Sequence, residues 1–332
     1  MFVTVMVLLG SAILIYFSCE LFVNSIEWVG KRFGIAKSAV GSILAALGTA
    51  LPESAVTLIA VVFGSSASQK DVGVGAALGG PLVLSTIAYG FVGWSVLSFR
   101  RRRSQGTVLT LNHRKLGRDQ LWFLLIFLCN LALGQVVFTG KKWTGLLFLA
   151  VYGAYFFSEM RAKEGESAAE DVLEPLKFQP KRREPQTIWI MWQCTLSLVL
   201  IFLGSRIFVD RLETLSLALG MPAHIVSLLL SPIATELPEI INVLIWVRQG
   251  KEELAFGNIS GAMMIQATVP SALGIFFTSW VFDRYLTFAA LATVLSIVFL
   301  WHTLRSKRLS AGRLSYAVLF YLIFAASFAL RR

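Results

Sequence analysis

Two glutamates stand in this chain where a carboxylate is expensive. Glu53 ends the stretch Gly48-Thr49-Ala50-Leu51-Pro52-Glu53, inside an apolar run from Ala39 to Phe63. Glu239 ends a second such stretch, Ala234-Thr235-Glu236-Leu237-Pro238-Glu239. A charge at bilayer depth costs at least ~2.5–3.5 kcal/mol on the mildest scales, so an acid kept there is expected to have a task. The proline before each glutamate removes a backbone donor and clashes with the preceding turn, which predicts a break or kink at both places. Freed carbonyls, a threonine hydroxyl and a carboxylate then face one point. Such an all-oxygen set suits a hard cation such as Ca²⁺.

The elements that must position these groups are membrane helices. Of 332 residues, 56% are hydrophobic and 15% charged, against roughly 25% charged in a soluble domain. Mean hydropathy is +0.71. Apolar windows of about 20 residues fall at 3–23, 38–63, 72–98, 120–139, 143–160, 187–208, 222–247, 254–280, 284–303 and 313–330, which predicts ten transmembrane helices. The net charge of +11 is topological rather than a nucleic-acid surface. With the N-terminus outside, 22 of the 30 lysines and arginines fall in the inner loops. The positive-inside rule therefore places both termini outside and the long central loop in the cytoplasm of a multi-pass cell-membrane protein. Cys19, Cys129 and Cys194 lack metal-like spacing, and His113, His224 and His302 are isolated near span ends. No cofactor is expected. The expected partners are transported cations and membrane lipid, with no nucleic acid, and a monomer suffices.

The sequence then begins again. Placing Leu21 opposite Ile207 holds a constant offset of 186 residues through Glu53 opposite Glu239, pairing Glu27 with Glu213, Gly34 with Gly220 and Thr49 with Thr235. After a shift of four residues, Gly75 pairs with Gly257 and Gly79 with Gly261. The chain divides into a first five-helix repeat (1–160), a cytoplasmic linker (161–186) and a second repeat (187–332). An odd number of spans per repeat inverts the second copy, so the fold class expected is an all-α integral membrane protein of two inverted five-helix repeats with broken helices 2 and 7. Inverted repeats with broken helices meeting at the midplane are the architecture of secondary transporters. The third span, rich in small residues, is expected to pack closely on the broken one. Spans four and five, without interior charge, read as a lipid-facing scaffold. Asp210 and Glu213, near a span end, are expected to face headgroups or water.

With these motifs in view, the chain resembles the sodium/calcium exchanger family within the cation/Ca²⁺ antiporters. That family carries G-[TS]-[ST]-x-P-[ED] on helices 2 and 7 and G-N-x-x-G-S-N-x-x-[ND] on helices 3 and 8. The first element is the pair of stretches ending in Glu53 and Glu239. The second is clear as Gly257-Asn258-Ile259-Ser260-Gly261-Ala262-Met263-Met264-Ile265-Gln266 and degraded as Gly75-Ala76-Ala77-Leu78-Gly79-Gly80-Pro81-Leu82-Val83-Leu84. The resemblance implies central carboxylate roles for Glu53 and Glu239, oxygens from Thr49 and Thr235, and backbone carbonyls near Ala46 and Pro232. Gln266 falls where the family has its midplane Asn or Asp. Leu84 cannot ligate, and Gly80, Ala262 and Ala50 stand where the family has hydroxyls.

Glu236 is an added carboxylate where the family has Ser or Thr. Three acids at one depth repel one another, so one of them, Glu236 by this reading, is expected to hold a proton when no divalent ion is present. The function expected is antiport of Ca²⁺, or a related divalent, against Na⁺ or H⁺. Two alternatives from other classes are a degenerate, non-transporting membrane subunit and a membrane-embedded enzyme that holds Mg²⁺ on paired carboxylates against a lipid phosphate.

Overall fold

The computed structural model describes residues 1–33, 37–101, 106–107, 109, 111–163, 173–305 and 309–329, with the side chains of 37–49, 159–163, 238 and 328–329 outside the description. Among the described residues every regular element is helical. The first half holds α1 (Phe2–Arg32), α2 (Lys37–Phe63), α3 (Ala67–Val83), α4 (Tyr89–Phe99), α5 (His113–Gln135) and α6 (Gly145–Lys163). The second holds α7 (Thr187–Leu219), α8 (Ala223–Thr235), α9 (Leu237–Arg248), α10 (Glu252–Phe277), α11 (Arg284–Arg305), α12 (Ala311–Ser315) and α13 (Ala317–Ala329). A lipid slab offers no water to satisfy backbone groups, so a helix, which satisfies its own, is what these apolar runs can form. Six helices among the described residues are long and apolar enough to cross a membrane, and seven if the bent pair of α8 and α9 counts as one. The protein is a multi-pass helical membrane protein.

The two proline-glutamate stretches fold differently. Around Glu236 the chain breaks: Glu236 N donates to Pro232 O at 2.8 Å to close α8, and Ile240 N donates to Glu236 O at 3.2 Å to open α9. The two segments meet at a bend of 42°. Around Pro52, by contrast, α2 continues without a break. The two stretches differ at several positions, one of them a proline. The second copy carries two prolines six apart, Pro232 and Pro238, where the first has Ala46 and Pro52. Each proline removes one i→i−4 bond, and Pro238 falls in the first turn of α9, where a helix tolerates it, so the second copy can stop and restart there.

α3 is wedged between α2 and α8 by its glycines. A Cβ on Gly73 would stand 2.5 Å from Val61 of α2, and one on Gly75 would stand 2.2 Å from the His224 carbonyl of α8. A Cβ on Gly79 would lie 2.7 Å from Leu228 O and from Pro232 Cγ. The spacings 73/80 and 75/79 put two glycine faces on one helix, one toward each neighbour. α10 packs on α2 in turn.

Polar side chains then fix the register of this core. At the α2–α3 corner, Ser66 Oγ accepts from Gln69 N at 3.0 Å and donates to Glu213 Oε1 at 2.6 Å. Gln69 Nε2 donates to Asp210 (2.8 Å) and Glu213 (2.9 Å) of α7. These two acids therefore dock α7 onto the corner instead of simply facing water. α5 is more than an apolar scaffold: its buried Gln120 donates to Tyr89 of α4 and Ser260 of α10, and Asn130 donates to Ala267 O at 2.8 Å and Ser271 Oγ at 3.0 Å. Between α3 and α4 a π turn, Leu84–Ala88, loosens the backbone bonding, and the Ser85 carbonyl is met by Ser296 Oγ of α11 at 2.7 Å.

The central linker also has structure in its second part. Leu176 is fully buried with Trp28 of α1 and Ile190 of α7. The backbone around it is held by Trp28, Asn24 and Gln193. Lys177 hydrogen-bonds the Glu174 carboxylate at 2.9 Å, which holds its ammonium above the usual lysine range.

The glycine wedge gives a direct test. Gly75→Ala puts a methyl against a carbonyl that cannot yield, and overpacking of this kind costs roughly 1–3 kcal/mol. Gly10→Ala, with open space around its site, is the control. Thermal unfolding in detergent is expected to fall by several degrees for the first and to stay unchanged for the second.

Candidate cation site

Three acidic side chains are buried at the two proline-glutamate stretches. Glu53 of α2 is 1% exposed, Glu236 at the α8–α9 break 1%, and Glu239 in the first turn of α9 0%. None forms an ion pair among the described residues. The break at Glu236 turns its side chain inward with both oxygens occupied: Thr235 Oγ1 donates to Oε1 at 2.8 Å and Gln266 Nε2 of α10 donates to Oε2 at 2.9 Å. The Glu53 carboxyl comes within hydrogen-bonding reach of Glu236 from the other half of the chain. Their negative charges oppose one another in a low-dielectric interior, which favours a proton or a cation there.

Gly80 makes this approach possible. A Cβ there would lie 2.0 Å from Glu53 Oε2 and 2.5 Å from its Cδ. The glycine that departs from the family pattern is thus the floor on which the Glu53 carboxyl rests.

The remaining predicted residues divide. Glu239 is near enough to Glu53 and Glu236 for their charges to interact, but the carboxyl that Glu53 meets is that of Glu236. Both oxygens of Glu53 and of Glu239, and Gln266 Oε1, are buried without a hydrogen-bond partner among the described residues. They are acceptors awaiting a positive group. Pro232 is buried, and its carbonyl already receives Glu236 N. The side chains of Ala46 and Thr49 lie outside the described residues. Among the described residues, no three His, Cys, Asp or Glu side chains stand close enough together to hold a metal by themselves. Hydroxyl, amide and carbonyl oxygens must complete any cation shell here, as they commonly do for Ca²⁺.

Two hydroxyls escaped the sequence reading. Thr57 Oγ1, one turn from Glu53, and Ser231 Oγ, one turn before Thr235, are buried and unpartnered among the described residues. Their i+4 spacing from the motif residues was the available signal. Tyr16 and Cys19 of α1 lie within electrostatic range of Glu239. His224 has a structural partner, Asp283, at 3.1 Å.

A helical membrane bundle with uncompensated acids at its centre, contributed by both halves of the chain, defines the class of membrane cation carriers. The pattern of the family described as "Sodium/calcium exchanger protein" matches residues 3–159 and 189–330, and the chain belongs to that family. Inner membrane protein YrbG of Escherichia coli (strain K12) is 26% identical over 272 residues, covering 80% of this chain and 77% of that one. Among solved structures, the H⁺/Ca²⁺ exchanger CAX aligns with a TM-score of 0.71 at 16% identity, over 98% of this chain and 86% of its own. The sodium-calcium exchanger NCX_Mj aligns with a TM-score of 0.57 at 18% identity, over 98% and 99%. The fold is shared with these solved exchangers, and membership of the exchanger family sets aside the lipid-phosphate enzyme considered from sequence.

Replacing the floor under Glu53 should displace the acid. Gly80→Ala is expected to weaken Ca²⁺ binding at least tenfold, about 1.4 kcal/mol, by calorimetry on purified protein. Unchanged affinity would mean that Gly80 does not set the Glu53 position.

Proposed function

We propose that this chain is a secondary antiporter that exports Ca²⁺, or a closely related divalent cation, in exchange for Na⁺ or H⁺ by alternating access. The observation that carries this reading is the set of buried carboxylates with unpartnered oxygens and no facing lysine or arginine among the described residues. An uncompensated acid in an apolar interior is strongly unfavourable, so a site built this way is stable only with a cation or protons in it. Glu53 and Glu239 are the two carboxylates that hold the divalent ion. Thr49, Thr235 and Gln266 add hydroxyl and amide oxygens, and carbonyls near Ala46 and Pro232 close the shell. Glu236, held by Thr235 and Gln266, is the fixed third acid that shares the proton or counter-ion with Glu53 when the divalent ion has left. This differs from the sequence expectation that Glu236 itself carries the proton, because both of its oxygens already accept hydrogen bonds.

The architecture proposed is ten spans in two inverted halves, 1–160 and 187–332, with residues 161–186 in the cytoplasm and both termini outside. The exchange of partners supports it: α3 of the first half packs on α8 of the second, and α10 of the second packs on α2 of the first. Two-fold-related halves meeting at a shared site produce that reciprocity. One fold neighbour is described as an H⁺/Ca²⁺ exchanger and the other as a sodium-calcium exchanger, so both counter-ions stand in the proposal.

Uptake of ⁴⁵Ca²⁺ into proteoliposomes, driven by either an H⁺ or an Na⁺ gradient, tests it. One gradient is expected to drive uptake, and Glu53→Gln and Glu239→Gln are each expected to cut the initial rate at least tenfold, about 1.4 kcal/mol. Uptake by either variant at the wild-type rate would remove that glutamate from the site. No uptake under either gradient, with folded protein, would remove transport.

A further inference from the structure

A second polar hollow, of about 120 Å³, lies where the starts of α3 and α8 meet the turn between α10 and α11. Asp71, His224, Thr278, Ser279, Trp280 and Asp283 line it. Both halves of the chain build it. A Cβ on Gly75 of α3 would stand 2.2 Å from the His224 carbonyl of α8, and Asp71 lies one turn before Gly75 on the same face. The Asp71 carboxyl is near enough to His224 and Asp283 for their charges to interact. His224 Nε2 lies 3.1 Å from Asp283 Oδ2. Asp283 is itself fixed, because its Oδ1 accepts from Tyr285 N at 3.0 Å and from Leu286 N at 2.9 Å at the start of α11. A carboxylate only accepts, so the neutral imidazole gives it the Nε2–H and keeps a lone pair on Nδ1. Among the described residues no lysine or arginine pairs with Asp71 or Asp283. The wall beside them is strained and braced. Trp280 holds a φ of 48°, a left-handed backbone on a bulky residue. Lys141 Nζ steadies that turn by donating to Trp280 O at 2.8 Å and to Ser279 O at 3.2 Å. The Trp280 Nε1 is buried with no acceptor among the described residues.

We propose that this hollow binds a first-row divalent metal ion of the Zn²⁺ class through His224 Nδ1 and the Asp71 carboxylate, with water completing the shell. The Asp283–His224 pair has the form of a metal-binding imidazole whose other nitrogen is held by a carboxylate, which fixes the tautomer and the ring. One imidazole and one carboxylate suit Zn²⁺ or Ni²⁺. Ca²⁺ takes six to eight oxygens and gains little from a ring nitrogen, so the hollow is distinct in its preference from the acidic site. Both oxygens of Asp283 are already engaged, which leaves two protein ligands rather than three. The volume leaves room for water on the ion, and such a water can accept from the Trp280 indole. Bound there, the ion ties α3 of the first half to α8 of the second. The proposal stands apart from the antiport reading, since it concerns different residues and a different ion.

The test uses the full-length protein, with Ca²⁺ in excess to occupy the acidic site. Crystals soaked in Zn²⁺ and measured at the zinc absorption edge are expected to show an anomalous peak in the hollow, roughly 2.0–2.2 Å from a His224 ring nitrogen and an Asp71 oxygen. In detergent solution, calorimetry is expected to find one Zn²⁺ site of micromolar affinity, and Zn²⁺ is expected to raise the unfolding temperature by mass action. Asp71→Asn and His224→Gln are each expected to weaken that binding at least tenfold. Asp283→Asn, which acts by orienting His224, is expected to weaken it at least threefold, and His302→Gln to leave it unchanged. A soaked crystal with no peak in the hollow would overturn the site. A peak without micromolar binding in solution would mean an adventitious ion only, and would overturn it equally. So would binding that survives in both Asp71→Asn and His224→Gln with their metal-free unfolding temperatures unchanged. The wild-type crystal decides the matter if a variant does not fold.

Discussion

Three carboxyl groups with no facing lysine or arginine among the described residues, enclosed in an apolar bundle, set the terms for the rest of this molecule. Each would be strongly unfavourable as a bare anion, and their proximity makes the penalty mutual. The surrounding residues are arranged to keep them in place without neutralising them. Thr235 and Gln266 hold Glu236 by neutral donors, and Gly80 withdraws its side chain so that Glu53 can lie against α3. A lysine or arginine in that position would neutralise them.

The scaffold follows from that requirement. A carboxylate can converge with others only if helices approach closely, and α3 achieves this through glycines directed at α2 and α8 on its two faces. The break at Glu236 turns a side chain inward that a continuous helix would have left to one side. Around this core, α5 anchors α10 with Gln120 and Asn130, and α7 is docked to the α2–α3 corner through Asp210 and Glu213. The Gln120 and Asn130 contacts are buried, where little water competes for them and the low dielectric strengthens each bond.

Much of this was legible in the sequence for physical reasons. Glu53 and Glu239 stood out because an acid in a 20-residue apolar run has no cheap explanation, and the helical, membrane-embedded character follows from hydropathy alone. The glycine-rich third span was readable as a close-packing helix. Other features were not. The repeat treats Pro52 and Pro238 as equivalent, yet only the second copy stops and restarts, a difference that shows only when backbone hydrogen bonds are counted turn by turn. Gly80 read as a lost ligand, when its meaning depends on where the Glu53 side chain lies, a long-range fact. The linker read only as a connection between the two repeats. Leu176 is one leucine among many, and its socket comes from Asn24 and Gln193, more than 150 and about 17 residues away in the chain. The amides of α5 were hidden by the apolar background that makes them effective.

The most direct measurement is the position of the ion. Anomalous diffraction from crystals grown with Sr²⁺ as an electron-dense substitute for Ca²⁺ is expected to show one strong peak within the bundle, with oxygens of both Glu53 and Glu239 at roughly 2.3–2.6 Å, as for Ca²⁺. A peak remote from both residues, or a centre that stays free of metal at saturating Sr²⁺, would contradict the account.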